Sequence, residues 1–211
     1  MKLTRILAAM ALVASVSACA TVETATRAAP LDAQAAQPAP VSLYVQDLAI
    51  SVPRSLKVSE ANLYYPGGDI VWREDPLGDR YEQVRAIFED GLRKGVANMS
   101  EGSVPVRVNV EVTRFHALTE KARYTIGGVH AIQFKVSLVN PETGVAYTEP
   151  RFIKADFKAF GGARAINAER NGITQKVRIT DRIAEVIQQE LQNPGSFKST
   201  NNGLIGAINQ L

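Results

Sequence analysis

The sequence predicts an α+β fold: a two-layer sandwich of an antiparallel sheet of four to five strands with two helices on one face. Three patterns carry this. Val104, Val106, Val108, Val110 and Val112 alternate with Pro105, Arg107, Asn109, Glu111 and Thr113, as in a strand with one dry and one wet face. Ile132, Phe134, Val136 and Leu138 alternate in the same way with Gln133, Lys135 and Ser137. Leu77, Tyr81, Val84, Phe88, Leu92 and Val96 recur instead every three or four residues, the period of a helix with one apolar stripe. A sheet with one dry face and helices with one apolar stripe bury those surfaces against each other.

The elements follow in order. Val41 to Val52 is rich in β-branched residues and stops at Pro53, so it reads as a strand, with a phase slip near Asp47 that marks a bulge. Tyr64-Tyr65-Pro66-Gly67-Gly68 is a turn cluster, and a short strand, Asp69 to Arg73, follows it. Asp75-Pro76 opens the first helix, with Asp as cap and Pro at the first helical position. Gly91 and Gly95 weaken that helix by roughly 1 kcal/mol each relative to Ala, and close packing against a sheet explains their presence.

The valine strand comes next, then Gly127-Gly128 as a bulge or close backbone approach, then the strand Ala131 to Val139. After the turn Asn140 to Gly144, the stretches Val145 to Tyr147 and Arg151 to Phe160 complete a meander, with Lys154, Asp156 and Lys158 on a solvated face. Gly161-Gly162 ends the sheet. A last helix, Ile173 to Gln192, aligns Ile173, Val177, Ile183, Ala184, Ile187 and Leu191, and Pro194-Gly195 stops it.

The N-terminus carries an export signal. Lys2 and Arg5 precede the apolar run Ile6 to Ala14, and small residues Ser15 to Ala18 close it, so residues 1–18 read as a signal peptide. A permanent membrane helix needs ~20 apolar residues, and this run is shorter. Val16-Ser17-Ala18-Cys19 resembles the lipobox of bacterial lipoproteins, which implies a diacylglyceryl group on Cys19 and cleavage before it. Cys19 is the sole cysteine, so an internal disulfide is excluded. Ala20 rather than Asp in the next position implies, by the same resemblance, the outer membrane, with the domain facing the periplasm.

Residues 19–40 then read as the lipidated cysteine and a flexible Ala/Pro-rich tether, residues 41–193 as one domain, and residues 194–211 as a mobile tail. The whole chain carries 24 basic and 21 acidic side chains. Removal of Lys2 and Arg5 with the signal leaves 22 against 21, a near-neutral chain without the electrostatic footprint of a nucleic-acid binder.

Catalytic constellations are scarce. His116 and His130 are the two histidines, with neither helical i, i+4 spacing nor a second cysteine, so no metal site and no cofactor are expected. Gly127-Gly128-Val129-His130 lacks the strand-to-helix context and the lysine of a phosphate loop. No Gly-x-Ser-x-Gly elbow occurs. Asp69, Glu74, Asp75 and Asp79 cluster where a helix dipole already accounts for acidic residues. The expectation is therefore a protein that is not an enzyme. Tyr64, Tyr65 and the single tryptophan, Trp72, form a turn-rich aromatic segment that offers a partner contact, against which stands the reading that Trp72 anchors the loop on the core, the usual place of one large aromatic in a small domain.

Two resemblances bear on function. Tyr124-Thr125-Ile126-Gly127-Gly128-Val129-His130 and the Asp69 to Pro76 segment (DIVWREDP) resemble an uncharacterised lipoprotein family of rhodobacter-like alphaproteobacteria, which implies no known activity. The element order over Val41–Gln192 is similar to that of auxiliary lipoproteins of ABC-type lipid transport systems. Together these imply a binding or adaptor domain on an envelope transport or assembly protein. Binding of a small apolar or lipid ligand is the alternative, and an envelope hydrolase a third.

Overall fold

The computed structural model describes residues 42–97, 99 and 101–199. The signal peptide, Cys19, the tether and tail residues 200–211 lie outside the described residues. In chain order the elements are β1 (Leu43–Ser51), β2 (Ile70–Val71), α1 (Arg80–Val96), β3 (Val104–His116), α2 (Glu120–Arg123), β4 (Gly128–Val139), β5 (Arg151–Lys154), β6 (Phe157–Ala159), α3 (Ala163–Arg170) and α4 (Gln175–Gln192).

The architecture is α+β, with one open sheet of six strands and, among the described residues, four helices. The sheet thus exceeds the expected four to five strands, because both of its edges are broken. β2 pairs with Phe115 and His116 beyond the stretch of β3 that β1 occupies. β5 and β6 form one ladder on β4: Lys154 lies opposite Gln133, and Phe157 resumes the same register opposite His130. The break is Asp156. Its buried carboxylate accepts from the backbone N–H of Ile132 at 3.0 Å and from the Gln133 amide, taking the place of a ladder bond. Asp156 is therefore not on a solvated face as its spacing from Lys154 and Lys158 had implied.

The sheet is mixed, not antiparallel. β1 runs parallel to β3, with Leu43 opposite Val104 and Ser51 opposite Glu111, because α1 carries the chain back to the starting end of the sheet. Alternation within a strand is the same for either direction, so the valine pattern does not report it. The expected bulge in β1 lies between Val45 and Asp47. A second slip, between Val112 and Arg114, is absent from the valine pattern and lets Phe115 and His116 both turn inward.

The core fills the space between the dry face and the two long helices. Val106, Val108, Val110, Val112, Phe134 and Ile132 meet Val84, Ile87, Phe88 and Leu92 of α1 and Ile179, Ile183, Val186 and Ile187 of α4. Phe88 stands edge-on to Phe134 at 5.3 Å. Both helices start later than their sequence signals. Asp79, not Asp75, caps α1, accepting from Tyr81 N and Glu82 N, and Leu77 lies before the helix, 83% exposed. Thr174 caps α4, which leaves Ile173 and Val177 exposed while Ile179 and Val186 take the inward positions. The short helices α2 and α3 have no apolar stripe and are absent from the sequence reading.

Gly91 and Gly95 pack against α4, not the sheet. A Cβ on Gly91 would lie 2.8 Å from Ile183 Cβ, and one on Gly95 would lie 2.7 Å from the Ala184 carbonyl oxygen. The second neighbour is backbone and cannot rotate away. Gly95→Ala is expected to lower stability by about 1–2 kcal/mol net, since overpacking of ~1–3 kcal/mol outweighs a helix-propensity gain of up to ~1. Urea denaturation checks this: a raised midpoint would mean that the helices separate without penalty.

Candidate functional site

One end of the sheet, where β2 and β3 finish and β4 begins, gathers the loop before α1, helix α2 and the start of α4. The loop is shaped by its own backbone first. Asp69 N and Ile70 N donate to the Lys57 carbonyl, Ser59 N donates to the Ile70 carbonyl at 2.9 Å, and Lys57 N returns a bond to Asp69 Oδ2. Gly68, at φ +134, closes this neck with no room for a Cβ, which would lie 3.0 Å from Lys57 O.

Buried charges then fix the loop to α1. The Arg80 guanidinium, 5% exposed, donates to both oxygens of Glu60 at 2.7 and 3.1 Å, to the Asp75 and Pro76 carbonyls, and to Gln83. Arg73 joins the same Glu60 and reaches Glu120 of α2 at 2.6 Å. The tip of the loop is held to α2. Thr119 Oγ1 donates to the Leu63 carbonyl at 2.7 Å, and Lys121 N donates to Asn62 Oδ1 at 2.9 Å. His116, buried at the end of β3, lies with Nε2 3.0 Å from the Pro66 carbonyl; as the donor it fastens the Tyr-Tyr-Pro turn to the core.

On this frame Leu63, Tyr64 and Tyr65 stand out at 52%, 38% and 54% exposure, and the Lys121 ammonium sits 4.8 Å from the Tyr64 ring. Trp72 does not join them. It is fully buried, edge-on to Phe115 at 5.6 Å, with its indole N–H donating to Asp75 Oδ2 at 2.8 Å. Of the two places open to it, Trp72 takes the core: it lies beneath that surface and supports it. Cys19, the expected lipidation site, is outside the described residues.

The carboxylates that cluster in sequence are each engaged separately. Asp69 serves the loop neck and Asp79 caps α1. Asp75 takes the Trp72 indole and the Lys176 ammonium. Glu74 accepts from Gln175 N and Lys176 N at the start of α4 and pairs with Arg123 at 2.6 Å. A residue distant in sequence thus caps α4 alongside Thr174. Among the described residues no group of three or more His, Cys, Asp or Glu side chains is placed to hold a metal ion.

Both histidines are buried. Burial, followed by the charges of Arg178, Arg123 and His116, pushes His130 down to about 3. Burial also lowers His116, against the bond to Pro66. Gly127-Gly128 is a close backbone approach: a Cβ on the facing Gly161 would lie 2.2 Å from Gly127 N. Sequence reasoning found the two tyrosines but not the bracing by His116, Arg80 and Thr119, whose residue types carry no such signal.

The sequence matches DUF6778, a family of unknown function, over residues 43–207. The chain belongs to that family. An uncharacterised family was expected, and the membership agrees at that level. No curated protein sequence matches the chain. Among solved structures, a candidate lipoprotein from Caulobacter crescentus is similar at 16% identity and a TM-score of 0.34, covering 51% of this chain and 79% of its own. A DUF330 protein from Xanthomonas campestris is similar at 9% identity and a TM-score of 0.42, covering 74% of this chain and 86% of its own. At these values neither defines the fold or role of the chain. Among the described residues no helix is long and apolar enough to cross a membrane.

Proposed function

We propose that the chain is a lipoprotein held to the outer membrane through Cys19, whose periplasmic domain works by contact with an envelope transport or assembly protein and not by catalysis. The observation that carries the contact reading is the Leu63-Tyr64-Tyr65 tip, apolar and exposed on a loop that buried hydrogen bonds and ion pairs hold rigid. A preordered aromatic tip binds a partner without the entropy of ordering a free loop. The anchor rests on the lipobox-like Val16-Ser17-Ala18-Cys19. Several acyl chains at ~0.8 kcal/mol per buried methylene make such attachment effectively permanent. An apolar-ligand reading has less support: the cleft beside His130 holds about 10 Å³, and the larger grooves, of about 390, 550 and 600 Å³, are lined in part by charged side chains such as Arg85 and Glu89, Arg107 and Glu111, and Arg73 and Glu120.

Two substitutions in intact cells test the proposal. Cys19→Ala is expected to move the protein from the outer-membrane fraction to the soluble periplasm or to leave uncut precursor; unchanged fractionation would refute the anchor. A photo-crosslinking residue at position 65 is expected to capture an envelope protein that the same residue at position 147 does not. Tyr64→Ala in the position-65 chain should reduce that yield at least tenfold. Equal yields from both positions would refute the contact surface.

A further inference from the structure

Arg164 of α3 and Arg178 of α4 both stack on the ring of Phe160, their guanidinium carbons 4.1 and 3.6 Å from its centroid. Arg178 also faces Phe157 at 5.2 Å and donates from Nη2 to the Lys158 carbonyl at 2.8 Å. Among the described residues neither guanidinium has a carboxylate within ion-pairing distance, unlike Arg73, Arg80, Arg123 and Arg182. The fold therefore holds two like charges on one ring, one of them half-buried, without neutralising either. Burial and the nearby Arg164 charge both lower Arg178 from its ordinary value.

The start of α3 adds no anionic group either. Gly162, two residues after Phe160 and with φ +56, precedes α3; no side chain caps the helix's first-turn amides, and that turn contains no acidic residue. The cleft behind Phe160 is lined by Arg178, His130 and Gln175; His130 Nδ1 and Gln175 Oε1 are buried without a partner, and of the two only the imidazole nitrogen can carry a proton to give an anion. Glu169 lines the same cleft, but Arg123 holds it at 2.9 Å and the Tyr124 hydroxyl donates to it at 3.1 Å.

We propose that Arg164, Arg178 and the open N-terminus of α3 bind a phosphate-bearing anion. Two guanidiniums present planar forks of N–H donors, and uncapped helix amides add a partial positive charge, the combination that suits a tetrahedral oxyanion. A free phosphate and a phospholipid headgroup offer the same chemistry. The site is separate from the Tyr64-Tyr65 tip and does not depend on the contact reading.

The full chain is titrated with inorganic phosphate by calorimetry and, separately, sedimented with vesicles of phosphatidylglycerol in phosphatidylcholine or of phosphatidylcholine alone. Any acyl anchor contributes equally to both vesicles. Saturable phosphate binding that Arg164→Glu weakens at least tenfold is the expected result. Arg164 is exposed and in no ion pair, so an unchanged melting temperature verifies that the variant folds. Preference for the anionic vesicles, lost in Arg164→Glu, identifies a headgroup as the ligand, and phosphate binding without that preference identifies a free anion. Absence of saturable phosphate binding together with equal sedimentation on both vesicles overturns the proposal, as does binding that Arg164→Glu retains.

Discussion

Replacing Trp72 with alanine is expected to destabilise the domain by about 3–5 kcal/mol, the range for removing a large aromatic from a packed interior. Three effects combine at this position. The indole is fully buried, so its apolar area returns to water and a cavity opens beside Phe115. Asp75 loses one donor and keeps only the Lys176 ammonium, at 2.9 and 3.1 Å. The neighbouring Arg73 loses its fixed position between Glu60 and Glu120. Since domains of this size are stable by about 5–15 kcal/mol, the change removes a large part of the total. Trp72→Phe should recover most of the packing and lose about 1 kcal/mol with the hydrogen bond. Tyr65→Ala, at an exposed position, is expected to shift stability by no more than about 0.5 kcal/mol. Chemical denaturation of the three variants separates frame from surface: a Trp72→Ala midpoint equal to the native one would show that the tryptophan does not support the loop.

Acidification is expected to weaken the fold in a window set by the buried histidines. In the unfolded chain His130 titrates near 6.5, and in the folded domain it is held down to about 3. Above pH 6.5 both states are neutral and stability is at its plateau. Below it the unfolded chain binds a proton that the folded domain refuses, so stability falls with pH by up to about 1.4 kcal/mol per unit until the folded value is reached. Between pH 6.5 and 4.5 His130 alone gives a loss of roughly 2–3 kcal/mol. His116, also lowered by burial, adds in the same direction.

Asp156 opposes the loss, because burial raises its carboxyl and the folded domain takes up that proton more readily than the unfolded chain. The lowered carboxylates Asp79, Glu89 and Glu120 act mainly below this window. His130→Phe isolates the effect: denaturation at pH 7.5, 5.5 and 4.5 should give a shallower decline than the native chain. Identical slopes would mean that His130 is protonated in the folded state.

The parts of the fold visible in the sequence are those governed by local periodicity. The alternation through Val112 and the stripe through Val84, Phe88 and Leu92 survive because each reports a surface in contact with one core. What was hidden depends on distant partners. Asp75-Pro76 has the chemistry of a helix start, but the Asp75 carboxylate is engaged by Trp72 and Lys176, so the cap passes to Asp79. Helix α3 buries only Ala165, so hydrophobic spacing gives no sign of it. In the candidate site, Tyr64 and Tyr65 announced themselves as aromatics in a turn. Trp72 in the same segment is turned inward against Phe115, the usual place of one large aromatic in a small domain, but its neighbours in sequence do not name that partner. His116 and Arg80 read as ordinary polar residues until the Pro66 carbonyl and Glu60 are found beside them.

The parallel placement of β1 has a kinetic consequence. Its partners on β3 lie roughly 60 residues further along the chain, whereas β3 and β4 pair across only ~15 to 30 residues. Long loop closures are slow because their entropy is lost before any contact compensates it. During synthesis β1 emerges first and stays unpaired until α1 and β3 have followed it, while the meander from β3 to β6 is able to close on itself. Docking of β1 is then the late event in folding, and until it occurs Leu43, Val45, Leu48 and Ile50 remain a sticky edge that a holding chaperone would recognise.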